Sequence, residues 1–241
     1  MKYALISDIH GNLQALERVI EDIAERQVDE IYCVGDIVGY GAQPSECITE
    51  IKRICRGSVA GNHDWAAVGK TDIGFFNKEA KAAVLWTSEN LDFEEKRFLA
   101  ELPLKLYFDN AMIVHGTPVA PEKWDYLLYT NRLGAQFAYF SEPICFIGHS
   151  HVPVVWTNAY ERIPPDTEKP LKLEEGRRYI INVGSVGQPR DGDPRACYSI
   201  FDSEKKAVYI RRVEYDIDTA ANLIRDAGLP EKLASRLYRG F

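Results

Sequence analysis

The chain has 241 residues, 46% hydrophobic and 27% charged, which excludes a disordered chain or a fibre and is enough to bury a full α/β core. Its 29 Lys and Arg against 36 Asp and Glu give a net charge of -7, which excludes a duplex-wide nucleic-acid footprint but leaves room for a local positive site taking a small phosphate. No run of about 18 apolar residues can cross a membrane, Asp8 and His10 arrive before a signal-peptide core could form, and Cys33, Cys47, Cys55, Cys145 and Cys197 are odd in number without CxxC spacing, so a cytoplasmic protein with reduced thiols is expected.

Short apolar runs alternate with helical periodicity at the start of the chain. Lys2 to Ile6 reads as a strand, Leu13 to Arg26 as a helix with apolar positions at Leu13, Leu16, Val19, Ile20 and Ile23, and Ile31 to Val34 as a second strand. Pro44 to Ile54 predicts a helix with proline in its first turn, and Gly57 to Ala60 a third short strand, so this quarter reads as parallel sheet with helical crossovers. The pattern from Asn77 to Leu99 is helical again. Strands are then predicted at Lys105 to Phe108, Met112 to His115, Ile144 to Ile147, Val152 to Thr157, Tyr179 to Val183, Cys197 to Phe201 and Ala207 to Val213. Arg162 to Gly176, with three prolines and many charges, reads as a surface loop, and Thr219 to Leu237 as one or two closing helices around Gly228 and Pro230.

All five histidines fall within short segments of Asp, Asn, Gly and His at or beside strand ends. These segments are Asp8-Ile9-His10-Gly11-Asn12, Gly35-Asp36, Gly61-Asn62-His63-Asp64, His115-Gly116 and Gly148-His149-Ser150-His151. Strand ends in such a sheet deliver side chains to a crevice outside its carboxyl edge, where Asp8, Asp36, Asn62, His115 and His149 would converge. Oxygen and imidazole donors without thiolate suit Mn, Fe, Zn, Co, Ni or Mg better than a structural zinc. Singly each segment has a plainer explanation: Asp8 or Asn12 as a helix cap, Gly35-Asp36 as a turn, His115 as a core histidine. Jointly they point to metal.

In order, these segments resemble the calcineurin-like metallophosphoesterase superfamily from Asp8 to His151, and Asn182-Val-Gly-Ser-Val-Gly-Gln-Pro-Arg190 is similar to the closing motif of its small bacterial and archaeal phosphodiesterase-type branch. The resemblance implies a four-layer α-β-β-α sandwich with two mixed sheets, one domain over residues 1–241, and two divalent metal ions, with Mn, Fe, Zn, Co and Ni all open. It implies Asp8, His10 and His151 at the first metal, Asn62, His115 and His149 at the second, and Asp36 bridging both. His63 would face the substrate, with Asp64 orienting it.

A bridging carboxylate lets two ions sit about 3.5 to 4 Å apart, sharing a hydroxide that attacks phosphorus in line. Metal binding lowers the pKa of water toward about 7, so no separate strong base is needed. Two divalent ions, Asp8, Asp36 and a hydroxide leave a charge that one diester phosphate balances; a dianionic monoester would call on Arg190 or His63. The expected activity is therefore hydrolysis of P–O bonds in a small phosphate ester by a phosphodiesterase. A phosphomonoesterase, protein phosphatase or dinucleoside polyphosphate hydrolase would use the same site. An inactive metal-binding scaffold is the alternative from another class, and the unsubstituted ligand set argues against it. Arg190 is a candidate substrate contact or a surface arginine beside Asp191 and Asp193. Trp124, Tyr126 and Tyr129 are expected to pack their loop on the core rather than stack a nucleotide-like substrate, and Tyr40 carries no signal. A homo-oligomer is compatible with the chain, which displays no legible interface.

Overall fold

Two six-stranded sheets pack face to face with helices on both outer sides in the computed structural model, which describes residues 1–241. In the first sheet β1 (Lys2–Ile6), β2 (Glu30–Cys33) and β3 (Gly57–Ser58) run parallel. On its other side β1 meets β11 (Ala196–Asp202) antiparallel, followed by β12 (Ala207–Val213) and β9 (Leu171–Lys172). In the second sheet β5 (Ala111–Val114), β6 (Ile144–Ile147) and β10 (Tyr179–Asn182) run parallel in the middle. β4 (Lys105–Phe108) closes one edge antiparallel, and β7 (Val154–Thr157) and β8 (Arg162–Ile163) close the other.

The period-two pattern explains the layering. Tyr3 and Leu5 of β1 enter the core between the sheets with Phe146 and Ile181, while Ala4 and Ile6 join the core under α1 (Leu13–Glu25) and α2 (Pro44–Ile54). Across the sandwich, Ile144 and Phe146 of β6 face inward, whereas Cys145 and Ile147 meet Leu133 and Phe137 of α6 (Leu133–Tyr139). Central strands buried on both faces read as unbroken apolar runs, which is why the sequence displayed them clearly.

The stretch from Asn77 to Leu99 is helical as expected and divides into two helices, α4 (Lys78–Asn90) and α5 (Phe93–Glu101). Asp92 restarts the chain with a capping box: its Oδ1 accepts from Glu95 N at 2.8 Å, and Glu95 Oε2 accepts from Asp92 N at 2.8 Å. Arg162 to Gly176 is not wholly loop, because it supplies β8 to the outer edge of one sheet and β9 to the outer edge of the other. The chain closes with α7 (Ile217–Asp226) and α8 (Glu231–Ser235), and a short helix, α3 (Asn62–Ala67), follows β3. No helix is long and apolar enough to cross a membrane, and all five cysteines are free.

Candidate metal centre

The parallel strands of both sheets deliver their carboxyl ends to one edge of the sandwich. Asp8 and His10 follow β1, Asp36 follows β2, Asn62 opens α3, His115 follows β5, and His149 and His151 lie between β6 and β7. All seven are buried. The loops that carry them are laced together by main-chain bonds: Asp8 N donates to Gly35 O at 2.9 Å, His10 N to Asp36 O at 3.0 Å, Gly148 N to His115 O at 2.9 Å and Gly187 N to Asp8 O at 2.9 Å. Five of the seven have left-handed backbone, with φ of 51° at Asp8 and His10, 53° at Asp36, 67° at His149 and 60° at His151. Such conformations cost a non-glycine residue about 1 kcal/mol or more and persist where the surroundings over-determine them. Gly61 is required for a different reason: a Cβ there would fall on the Asp36 carboxylate.

Two donor groups converge, one of Asp8, His10, Asp36 and His151, the other of Asp36, His115 and His149, the donor atoms of each lying within 4.8 Å of one another. Asp36 belongs to both. Its Oδ1 accepts from His63 N at 2.8 Å, while Oδ2 lies 3.1 Å from His115 Nε2 and 3.6 Å from His10 Nε2, so one oxygen faces both groups. Asp8 Oδ1 is 3.2 Å from His151 Nε2.

The second nitrogen of each imidazole shows which atom is free to ligate. Nδ1 of His10 donates to Val38 O at 3.0 Å, that of His115 to Val34 O at 2.8 Å and that of His151 to Gln188 O at 2.6 Å. His149 instead bonds Trp124 O through Nε2 at 2.8 Å. Each ring is thereby held with a lone pair toward the centre, the usual support of a metal-bound histidine. His10 Nε2 and His151 Nε2 face each other at 3.1 Å, and Asn62 Oδ1 is buried without a hydrogen-bond partner. Lone pairs aimed at one another and orphaned acceptors are costly unless a cation sits among them, so these residues fit a divalent metal pair.

Charge follows the same geometry. Burial opposes ionisation of Asp36, but His115, His63 and His10 outweigh it and hold its carboxyl well below the ordinary range. Burial also opposes the charge on His115, and Asp36 overcomes it, lifting that imidazole to about 9. Burial lowers His63 to about 4 and His149 to about 3.

Asp64 departs from expectation. Its carboxylate does not bond His63; it accepts from the main-chain N–H of Asp36, Ile37, Val38 and Gly61 at 2.8 to 3.1 Å. It braces the Asp36 loop against α3. The His63 ring rests 4.9 Å from His10 and 4.4 Å from Tyr40, and its Nδ1 is buried without a partner. An unpaired lone pair costs less than an unpaired N–H, which favours the proton on Nε2. Asn12 fills both roles considered for it, capping α1 at Ala15 N and donating to Gly187 O at 2.9 Å.

A family model described as the calcineurin-like phosphoesterase superfamily domain matches residues 1–206. The chain belongs to that superfamily. Its members are hydrolases acting on phosphoric ester bonds. The chain is 43% identical to the uncharacterized protein MJ0912 of Methanocaldococcus jannaschii, covering 98% of this chain and 97% of the relative. It is 41% identical to a metallophosphoesterase from Sphaerobacter thermophilus of known structure, with a TM-score of 0.91, covering 100% of this chain and 99% of the other. It is 23% identical to phosphodiesterase YfcE of Escherichia coli K12, covering 86% of this chain and 91% of the relative.

Beside its metal donors this phosphoesterase carries a cleft of about 360 Å³ lined by Tyr40, His63, Phe75, Phe76, Trp124 and Tyr126 among others. Trp124 packs on the core as expected and also lines the cleft, whereas Tyr126 departs from expectation by lining the cleft, its ring stacking at 3.9 Å on His149, and Tyr129 points to solvent. Phe75, 95% exposed, and Tyr40 were not legible as cleft residues, since neither belongs to a local motif. Arg190 is not engaged by its acidic neighbours: Asp191 pairs with Arg212 and Asp193 with Arg195, while the Arg190 guanidinium lies 5.5 Å from the centre of the Tyr40 ring.

Proposed function

We propose that this chain is a metal-dependent phosphodiesterase. The observation that carries the proposal is the single Asp36 oxygen shared by two converging donor groups. Asp8, His10 and His151 would hold one divalent ion and Asn62, His115 and His149 the other, with Asp36 between them. The donor chemistry suits Mn, Fe, Zn, Co or Ni. When bound, such a pair supplies Lewis acidity at phosphorus and a water made nucleophilic near neutral pH.

Hydrolysis breaks one P–O ester bond, forms one to the water oxygen and leaves a water proton on the departing oxygen. His63 lines the cleft beside the donor groups, and its Nε2–H is placed to donate to that oxygen as negative charge develops there. Asp64 keeps the Asp36 loop in register while this happens. The aromatic walls shield the ester from water and accept its organic arms. A ligand set with Asp8 and Asp36 as its carboxylates favours a monoanionic diester, in keeping with the name of the YfcE relative.

Chelator-treated protein should be inactive and regain hydrolysis of bis(4-nitrophenyl) phosphate on adding Mn, with a higher rate than on 4-nitrophenyl phosphate. A preference for the monoester would make the protein a phosphomonoesterase. Metal binding without turnover of either ester would make it a scaffold.

A further inference from the structure

We propose that Trp124 is a positioning residue for the second metal ion alone: its main-chain oxygen holds His149, and Thr71 fixes its ring. The proposal rests on the two-ion reading above, with Asn62, His115 and His149 as the second donor group beside Asp36. His149 is steadied differently from the other imidazoles of the centre. His10, His115 and His151 donate to Val38 O, Val34 O and Gln188 O, beside Asp36 or in the loop after β10. His149 donates through Nε2 at 2.8 Å to Trp124 O, on a segment that carries no metal donor. That segment has little regular structure to brace it. A short 3-10 turn, Pro121–Lys123, lies between Ala120 and Trp124, whose backbones are both left-handed, with φ of 46° and 56°. Such a conformation is unfavourable for a tryptophan and persists only where contacts over-determine it.

The indole supplies those contacts. It meets Trp65 of α3 edge-on, with ring centres 5.6 Å apart at 87°, and its Nε1–H donates to Thr71 Oγ1 at 3.2 Å. It also stands edge-on to His115, with ring centres 6.1 Å apart. Gly116 admits this close approach beside the ligand His115, because a Cβ there would lie 3.1 Å from Asp125 O and 3.5 Å from Trp124 Cα. Trp124 therefore bears on both histidines of the second donor group, whereas His10 and His151 of the first are held by Val38 O and Gln188 O. The selectivity follows from the tautomer. While Nε2–H is engaged by Trp124 O, Nδ1 of His149 keeps its lone pair for a metal. Displacing that oxygen lets the ring turn or move its proton to Nδ1, which blocks ligation there and leaves the first group intact. Thr71 belongs to the cleft wall that also carries Phe75 and Phe76, so the indole ties this wall to a metal ligand.

The test is calorimetric titration of Mn into chelator-treated protein, which needs no turnover. Trp124→Phe should weaken one of the two equivalents about tenfold or more and leave the other within about twofold. Thr71→Val, which keeps the shape but removes the acceptor, should weaken the same equivalent about threefold, and Thr71→Ser, which keeps the hydroxyl, should restore it. Two further chains assign the equivalent. With His151→Ala the second donor group is whole, and Trp124→Phe should still cost about tenfold; with Asn62→Ala the first group is whole, and Trp124→Phe should change little. Thermal melts of the metal-free chains check that each variant folds, and the Thr71 pair decides the matter if Trp124→Phe does not. Equal losses at both equivalents, or unchanged affinity in Trp124→Phe and Thr71→Val, would overturn the positioning role. A single equivalent in the native chain would overturn the two-ion reading and this role with it, whereas two equivalents held alike by native chain and variants would overturn this role alone.

Discussion

The floor beside the cleft consists of seven buried donor side chains on loops laced by main-chain hydrogen bonds, of which Asn62 and His149 line the cleft, whereas its rim includes Phe75 and Tyr126, which are carried on loops and keep part of their surface in water. The floor belongs to strand ends of both sheets and cannot move without disturbing them. The rim can change by rotating a side chain. Rigidity is concentrated where two charged groups of donors must keep fixed separations, and adaptability where an organic group must be accommodated.

The largest expected effect breaks the floor. Asp36→Asn should reduce binding of both metal ions together, by at least about a hundredfold, with activity falling in parallel. Elemental analysis of the purified variant checks this, and retention of one full equivalent would show that Asp36 does not join the two groups. Asp64→Asn comes next, since an amide cannot serve four main-chain donors as the carboxylate does. Mn affinity by calorimetry should drop about 10- to 100-fold. Unchanged affinity with an altered pH–rate profile would instead return Asp64 to His63.

Rim changes should be smaller and of another kind. Phe75→Ala is expected to raise KM for aryl diesters about three- to tenfold while kcat stays within about twofold, as loss of a stacking surface predicts. Steady-state kinetics on aryl and alkyl diesters separates this from a general defect. The smallest effect lies far from the cleft. Asp22 accepts from Tyr198 Oη at 2.6 Å and Arg26 Nη2 at 2.9 Å; burial opposes its charge, but these donors and Arg211 outweigh burial and lower its pKa. Its contribution is thus complete above the unfolded Asp value of about 3.9 and vanishes as pH falls through the lower folded value. Asp22→Asn should cost about 0.5–1 kcal/mol near neutrality by denaturant melts, a difference that disappears in acid, with metal binding unaffected.

The floor was legible in the sequence because its chemistry is local. Asp, Asn and His at strand ends carry their meaning in residue type and position, and the central strands announce themselves by burial on both faces. Adjacency to His63 suggested that Asp64 orients it, while α3 turns its carboxylate back toward the Asp36 loop. The rim was largely hidden, since Tyr40, Phe75 and Tyr126 line one cleft only after the chain has folded. The Asp92 to Glu95 capping box was a readable signal for the break between α4 and α5. β8 and β9 were obscured for the opposite reason, being two-residue strands set among prolines and charges.

Those two short strands have a mechanical consequence. One stretch of chain, residues 162–172, pairs with β7 at the border of one sheet and with β12 at the border of the other. It works as a shared selvedge, so fraying that begins at either border pulls on both. The two layers are thereby coupled as one cooperative unit on that side, and the β7 and β12 edges are covered by the protein's own backbone at Val155–Trp156 and Ala207–Val208.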